Sequence, residues 1–313
     1  MIPATGHFIW FGKTLPFVYM VGVRSAALNG GFERIVFHCE RQLEGSAYWD
    51  YLVGTPGIEI RWIESNPFEG LQSANELLEV YQRLDAPAAR ANMLRVAFLY
   101  GEGGVYLDTD TVTVGSMSTL RERFSFFCGL ERICFPGGQN APSGIRGWSR
   151  SIGLLGLRDV FRRAPRGWKG FRQVENLYPL AANNAVLGGA PEDPTLRALL
   201  DGMVSMPLKE QTVRFALGTH LLQRVVEERG REEGVGLLPP EFFFPIGPEV
   251  SQHWFAQSGH SALGEMLHPE TRVVHWYASV RTKEVVPLLE PEYILKHREK
   301  VPLCALLAPF VES

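Results

Sequence analysis

The chain lacks the features that mark several large classes of protein. It has only four cysteines in 313 residues, and none forms a C-x-x-C pair, so a zinc knuckle or a disulfide framework is not expected. No stretch approaches the eighteen consecutive apolar residues of a membrane span. The net charge is −3 and the pI about 6.3, which argues against general electrostatic binding to nucleic acid.

The two ends of the chain also lack membrane signals. Residues 1–3 lead almost directly into a strand-like segment at 7–11, without the charged and then apolar pattern of a signal peptide. Residues 303–311 are apolar but contain Pro309, so we expect this segment to pack on the body of the protein. Reduced, buried thiols fit a reducing compartment. We therefore predict a cytoplasmic protein with no integral membrane segment.

What is present is the composition of an ordinary globular protein, 45% hydrophobic and 21% charged, which suits one large domain or two small ones. The first part of the chain alternates between strand and helix patterns. Predicted strands at 8–11, 34–38 and 59–63 alternate with predicted helices at 16–28 and 46–53. This rhythm predicts an α/β fold with a mostly parallel, Rossmann-like central sheet flanked by helices. The segment at about 130–180 has weak periodicity and is predicted to be an irregular insertion carrying short helices.

The most informative stretch is residues 103–111, in which two glycines and a short apolar strand precede Asp108 and Asp110. Residues i and i+2 of an extended chain point to the same side, so both carboxylates face one point. Two like charges so placed are tolerable mainly around a cation, and hard oxygen ligands suit Mg²⁺ or Mn²⁺. The alternative is a pair of solvated turn residues, since Asp favours turns.

Three further positions carry candidate chemistry. Asn92 and Arg95 lie three residues apart on a predicted helix and share one face, which either contacts a substrate or is simply solvated. His275 follows an apolar strand, where it is either a third metal ligand or a core histidine. Trp10 ends the first strand, where α/β sheets bind ligands, and is either a stacking platform or a core residue.

In this pattern the chain resembles the DXD-motif sugar-binding glycosyltransferases. That group includes initiating mannosyltransferases, α-galactosyltransferases and the glucosyltransferase domains of large clostridial toxins. The central block, residues 91–110, looks like the group's A-D-x-x-R core followed by G-G-x-Y-L-D-x-D. Weaker similarities occur in the right order at residues 2–12, 183–194 and 275–279.

The resemblance implies a GT-A type fold and a metal-dependent, retaining transfer of a sugar from a nucleotide sugar, with a UDP-sugar favoured over a GDP-sugar. It implies Mn²⁺ or Mg²⁺ as cofactor. It implies one catalytic domain over residues 1–313, with a nucleotide-sugar-binding half at 1–115 and an acceptor half at 116–313. No second carboxylate is evident as a nucleophile, which favours front-face transfer without a covalent intermediate.

The resemblance also implies roles for individual residues. The metal ligands would be Asp108, Asp110 and His275. The donor would be bound by Trp10, Phe11, Asn92, Arg95, Gly104, Tyr106, Asp108 and Ser279, with Trp10 stacked on the base. Catalysis would depend on Asp108, Asp110, Arg95 and Asn184.

Two positions depart from the group's pattern. Asn92 stands where the group has an Asp that binds donor hydroxyls, and Val280 stands where it has Trp. The enzyme is therefore expected to be a hexosyltransferase or an N-acetylhexosaminyltransferase. Its acceptor is a glycan, a small molecule or a protein. Two other functions stay open, a haloacid-dehalogenase-like phosphatase and a non-catalytic nucleotide-sugar binder.

The predicted insertion is locally basic and aromatic. It contains Arg132, Arg146, Trp148, Arg150, Arg158, Arg162, Arg163, Arg166 and Trp168. This composition suits either an anionic or aromatic acceptor, or a solvated or dimer-forming surface.

Overall fold

The structure, a computed structural model, describes residues 1–136, 142–258, 261–278 and 283–312. Its strands are β1 Thr5–Trp10, β2 Arg34–Cys39, β3 Ile58–Trp62, β4 Gly104–Leu107, β5 Thr111–Thr113, β6 Phe126–Arg132, β7 Leu180–Gly189, β8 Val235–Leu238 and β9 Val273–His275. Its first ten helices are α1 Phe17–Asn29, α2 Trp49–Val53, α3 Ala74–Gln82, α4 Pro87–Glu102, α5 Ser118–Arg123, α6 Gly144–Arg163, α7 Gly167–Val174, α8 Pro194–Ser205, α9 Leu208–Gln211 and α10 Leu221–Arg229. The last helices are α11 Ser261–Met266, α12 Pro291–His297, α13 Pro302–Leu307 and α14 Pro309–Glu312.

The central sheet has the order β3-β2-β1-β4-β7-β6-β8. Strands β1 to β4 are mutually parallel and β6 is parallel to β8, whereas β7 runs antiparallel to both of its neighbours. The predicted α/β class with a mostly parallel central sheet flanked by helices is therefore confirmed. The sheet is of the kind that the GT-A resemblance implies.

Both faces of this sheet are covered, and the alternation of side chains along its strands supplies two cores. Phe8 and Val105 belong to one buried cluster, together with α1 and the C-terminal helix α13. Their neighbours Ile9 and Tyr106 point to the other face, where α4, α8 and α10 pack. Residues of α13 are almost fully buried, so the C-terminal segment packs on the body as expected. No helix in the described ranges is long and apolar enough to cross a membrane.

A second sheet of two strands positions the site. Strand β5 follows the Asp108-Thr109-Asp110 triplet and pairs antiparallel with β9, far along the chain. Thr111 is directly opposite His275 in this pairing. The register therefore places His275 beside the residue that precedes Thr111, which is Asp110.

The predicted irregular insertion at about 130–180 is wrong over its central part, which forms the twenty-residue helix α6. Only Ser151 and Leu154 of this helix are buried, so its sequence carries almost no amphipathic signal. Its arginines are instead anchored by a distant acid, since Arg158 and Arg162 pair with Glu249 at 3.4 and 3.3 Å. Such long-range pairing is invisible to local periodicity.

Two smaller expectations also differ. Residues 242–244 look like a strand, but residues Pro240–Phe242 form a 3₁₀ turn that buries the next two phenylalanines. The pattern over residues 212–228 predicts one helix, but residues 212–215 form turns. A π-helical turn at Ala216–His220 follows, with a non-helical Gly218 at φ −113° and ψ −114°, and α10 begins only at Leu221. The division of the chain at residue 115 into donor and acceptor halves stays a prediction.

Candidate active site

A cavity of about 590 Å³ opens at the carboxyl edge of the parallel strands. Trp10 at the end of β1, Asp108 after β4 and Glu131 near the end of β6 all line it. Asn184 reaches the same edge because β7 runs in the opposite direction and begins there. This is the position at which open α/β sheets bind ligands.

Three of the lining residues form one compact cluster. Asp108, Asp110 and His275 each offer a ligand atom, and these atoms all lie within 4.8 Å of one another. His275 Nε2 is 3.1 Å from Asp110 Oδ1, and the backbone N–H of Ala278 donates to Asp110 Oδ2 at 2.9 Å. The three side chains that the sequence predicts as metal ligands are therefore brought together.

The pKa values of the two carboxylates in this cluster are shifted in opposite directions. Burial raises the pKa of Asp110, but the neighbouring His275 and the Ala278 N–H outweigh burial and hold that pKa below its usual value. Burial lowers the pKa of His275, but the charge of Asp110 outweighs it and the net pKa is raised. The pKa of Asp108 is raised, chiefly by burial and then by the charge of Asp110, against the lowering effect of Arg95. Asp110 and His275 thus stabilise each other's charged forms.

The residues fit a divalent cation. Two carboxylates and an imidazole within 4.8 Å of one another have nearly the spacing of ligands around one ion with bonds of about 2.1 Å. Within the described part of the chain, no hydrogen bond occupies Asp108 Oδ2, so this oxygen is available as a ligand. A carboxylate-rich set with one imidazole is compatible with Mn²⁺ or Mg²⁺.

Arg95 supports this cluster from α4. Its side chain is 6% exposed, and Nη2 lies 3.1 Å from Asp108 Oδ1. Nη1 donates to the carbonyl of Asn184, and the guanidinium lies over the Tyr106 ring at 4.2 Å. The Tyr106 hydroxyl donates to the same Asp108 oxygen at 2.7 Å. Arg95 thus fixes Asp108 and the middle of β7, and its predicted contact with the donor stays a prediction.

Asn92 and Asn184, which also line the cavity, contact each other. Asn184 Nδ2 donates to Asn92 Oδ1 at 2.9 Å, which leaves the Nδ2 donor of Asn92 for another partner. The backbone of Gly218 packs against both, and a Cβ there would lie 2.6 Å from Asn92 Nδ2 and 3.1 Å from Asn184 Nδ2. The break in the helix at Gly218 therefore makes room for this amide pair.

The remaining predicted donor residues divide into three groups. Trp10, Phe11 and Tyr106 line the cavity, and Trp10 is held by donating from Nε1 to the Thr14 carbonyl at 3.0 Å. Gly104 lies at the other end of β4, where a Cβ would be 2.5 Å from the Thr5 carbonyl oxygen, so it serves the close pairing of β4 with β1. Ser279 and the departure at Val280 lie outside the described residues.

Glu131 is the functional candidate that sequence reasoning missed. It lines the cavity, is 6% exposed and accepts a hydrogen bond from the Tyr277 hydroxyl at 2.9 Å. Burial raises its pKa. A second carboxylate that the sequence did not make evident therefore lies in the cavity, and the prediction that none acts as a nucleophile stays a prediction. The apolar pattern at residues 124–129 predicts a strand that ends at Gly129, but the observed strand continues to Arg132 and runs parallel to β4, so Glu131 lies like Asp108 at the carboxyl edge of the sheet.

Residues 48–127 match the family described as glycosyltransferase sugar-binding region containing DXD motif. The match contains Asn92, Arg95, Asp108 and Asp110 and stops before Glu131 and His275. It confirms the resemblance that the motif predicts, and it supports glycosyl transfer from a nucleotide sugar as the chemistry of this cavity.

Several solved structures are similar to the chain at low identity. They include the PaToxG glycosyltransferase, with a TM-score of 0.46, 15% identity, and 72% of this chain and 69% of that chain covered. The UDP-bound glycosyltransferase domain from the YGT toxin has a TM-score of 0.43, 12% identity and coverages of 75% and 79%. Mouse xyloside xylosyltransferase 1 in its apo form has a TM-score of 0.49, 13% identity and coverages of 87% and 96%. No curated protein matches the chain. The function proposed below does not rest on these structural likenesses.

Proposed function

We propose that this protein is a metal-dependent, retaining glycosyltransferase that moves a sugar from a UDP-sugar to an acceptor. The observation that carries the proposal is the grouping of Asp108, Asp110 and His275 at the carboxyl edge of the sheet, in the same cavity as the Asn92–Asn184 amide pair. The first cluster suits a diphosphate bridged by a cation, and the second suits a sugar.

The metal would be held by Asp108, Asp110 and His275, and it would neutralise charge on the departing diphosphate. Arg95 and Tyr106 keep Asp108 in one orientation through contacts at 3.1 and 2.7 Å. This pre-organisation fixes the ligand before the donor arrives, so less reorganisation is needed during transfer.

The sugar would lie between the amide pair and Glu131. Glu131 is a buried carboxyl group with no salt bridge in the described ranges, so its ionised form would be stabilised by the positive charge that develops at the anomeric carbon. We propose front-face transfer with Glu131 in this electrostatic role. Glu131→Gln should lower kcat by about 10²–10³-fold with little change in KM, as expected for a group that acts mainly in the transition state. Tyr277→Phe, which keeps the ring and removes the hydrogen bond to Glu131, should have a smaller effect.

Covalent catalysis by Glu131 is the alternative route. Mass spectrometry of the protein after incubation with donor and no acceptor distinguishes the two. If Glu131 is found glycosylated, the mechanism is double displacement and not front-face transfer. If the wild-type enzyme stays unmodified and Glu131→Gln has a reduced kcat, the electrostatic role is supported.

For the donor we propose a UDP-sugar, because the Trp10 block and α4 resemble the toxin-like members of the group. Asn92 favours an N-acetyl sugar over plain glucose, since its free Nδ2 can donate to the acetamido carbonyl. Competition of UDP-N-acetylglucosamine, UDP-glucose and GDP-mannose in a hydrolysis assay tests this choice. If UDP-glucose is turned over best and Asn92→Asp improves its turnover, the N-acetyl proposal is wrong. If GDP-mannose is preferred, the UDP proposal is wrong.

The metal dependence is tested by calorimetry with UDP and GDP, with and without Mn²⁺. We expect UDP to bind only when Mn²⁺ or Mg²⁺ is present, because Asp108 and Asp110 alone repel a diphosphate. Equal affinity after chelation would refute the metal bridge. Asp201→Asn is a matched control, since Asp201 pairs with Arg197 on the surface of α8.

Two alternative functions predict different results in the same experiments. A non-catalytic binder would bind UDP-sugars with Mn²⁺ but release no sugar. A haloacid-dehalogenase-like phosphatase would hydrolyse p-nitrophenyl phosphate and leave nucleotide sugars intact. Release of free sugar and UDP from a UDP-sugar supports the transferase over both.

A further inference from the structure

The outward face of α6 is an apolar stripe that no described part of the chain covers. Ile145, Trp148 and Ile152 follow the i, i+3, i+7 spacing of one helix face and are 87%, 52% and 61% exposed. Val160, 62% exposed, continues the stripe about two helical turns further on. The opposite face buries Ser151 and Leu154 against the body. Contiguous exposed apolar side chains such as these usually mark a site that contacts another protein or a membrane.

The surroundings of the stripe are strongly basic, although the whole chain carries a net charge of −3. Between residues 142 and 172 there are eight arginines and lysines, and Asp159 is the only acidic residue. Arg158 and Arg162 are paired with Asp159 and Glu249. The arginines that remain exposed around the helix are Arg146, Arg150, Arg163 and Arg166. The stripe therefore lies inside a patch of positive potential.

The stripe is also continuous with the candidate active site. Phe135 lines the cavity, is 39% exposed and lies 5.8 Å from Trp148 between ring centroids. The N-terminal part of α6 thus forms the rim of the cavity mouth. Whatever surface covers the stripe lies next to the cavity.

We propose that α6 docks on an anionic membrane surface. Although α6 as a whole has little amphipathic signal, its N-terminal half exposes Ile145, Trp148 and Ile152 on one side with arginines beside them, which are the side chains that a helix presents to an anionic interface. Arginines near an anionic bilayer each add favourable electrostatic free energy, and the aromatic rings of Trp148 and Phe135 suit the headgroup level. A second copy of this helix fits less well, because two basic surfaces repel each other. Small residues, Ser149, Gly153 and Gly156, lie between the apolar ones along the helix.

This docking would turn the cavity mouth toward the bilayer. If the chain is the transferase proposed above, its acceptor is then a molecule presented at a membrane surface. That consequence rests on the proposed function, whereas the docking itself does not and is measured without nucleotide.

The first test uses the full chain and vesicles. We expect flotation with vesicles of phosphatidylcholine and phosphatidylglycerol, little with phosphatidylcholine alone, and loss of binding as salt is raised. Trp148 is the one tryptophan of seven that is more than half exposed. Brominated anionic lipids should therefore quench wild-type fluorescence, while Trp148→Phe should still float but lose most of that quenching.

Matched variants distinguish membrane binding by the stripe from non-specific binding by other exposed apolar residues. Ile145→Glu with Ile152→Glu should abolish flotation, whereas Leu208→Glu with Leu288→Glu, at positions 64% and 53% exposed elsewhere, should not. Arg146→Ala with Arg150→Ala should weaken partitioning about thirtyfold, from about fivefold per arginine. Arg224→Ala with Arg231→Ala, two exposed arginines on another face, should have little effect. Circular dichroism and UDP calorimetry should be unchanged in all four variants, because none of these residues lines the cavity.

Three results would overturn the proposal. The first is equal flotation with anionic and zwitterionic vesicles, or none with either. The second is equal loss in the α6 variants and their controls. The third is a dimer in sedimentation velocity that Ile145→Glu with Ile152→Glu dissolves, since the stripe would then be covered by a second copy of the chain.

Discussion

The ion pair between Arg95 and Asp108 gives the sharpest prediction for stability. The two atoms are 3.1 Å apart, and the side chains are 6% and 27% exposed. Arg95→Met keeps most of the apolar stem but leaves Asp108 as a mostly buried carboxylate without its cation. Breaking a buried pair in this way costs about 3–5 kcal/mol, and the partial exposure of Asp108 places the expected loss near 3 kcal/mol.

Removing both charges separates the pair from the other contacts of Arg95. In Arg95→Met with Asp108→Asn no uncompensated charge remains, so we expect only about 1–2 kcal/mol of loss, from the hydrogen bond to Asn184 and the packing on Tyr106. Asp108→Asn should therefore recover about 1–2 kcal/mol in the Arg95→Met background, the difference between the two losses. Urea denaturation of the metal-free protein measures each free energy of unfolding.

A surface pair serves as the control. Arg34 and Glu59 are 3.6 Å apart and 44% and 53% exposed, so Arg34→Met should cost less than about 1 kcal/mol. The reasoning fails if Arg95→Met costs no more than Arg34→Met, or if Asp108→Asn does not recover stability in the Arg95→Met background. In that case the pair stabilises the fold no more than a surface ion pair does.

Three further predictions test other parts of the molecule. Asp110→Asn should lower Mn²⁺-dependent UDP affinity at least tenfold in calorimetry, since a charged ligand is lost; unchanged affinity would make Asp110 a turn residue. Burial lowers the pKa of His7 to about 4 and that of His38 well below its usual value, so both are neutral when folded. Their contribution to stability is complete above pH 6.5 and is lost as pH falls. Because the unfolded chain takes up a proton at His7 and the folded chain does not, the free energy of unfolding should fall by about 2 kcal/mol between pH 7 and 5 from His7 alone. Urea melts measure this loss, which should be largely absent in His7→Gln with His38→Gln. Gly218→Ala should raise KM for the donor with little change in melting temperature, because its Cβ would displace Asn92; an unchanged KM would exclude the amide pair from donor binding.

The local order of the chain was predictable because it depends on short-range patterns. The alternation of apolar strands and helices over the first hundred residues gave the parallel half of the sheet, with bounds close to those observed. The spacing of Asp108 and Asp110 was enough to predict a shared direction for two carboxylates, since that follows from the two-residue repeat of an extended chain.

Patterns failed where long-range contacts override local propensity. Helix α6 has little amphipathic signal because its inward arginines pair with Glu249, an acid that follows them by more than eighty residues. The break at Gly218 follows from the need to accommodate Asn92 and Asn184, which no local rule encodes.

The sequence by itself determined the α/β class and the position of the carboxylate pair, because strand and helix periods and the glycine-rich approach to Asp108 are local properties. Only the tertiary structure decided which other groups join that pair. The pairing of β5 with β9 places His275 beside Asp110, the end of β6 places Glu131 in the cavity, and α4 places Arg95 against Asp108. These are contacts between segments far apart in the chain. Their geometry is fixed by strand register and helix packing, and neither can be read from the local patterns of a single sequence.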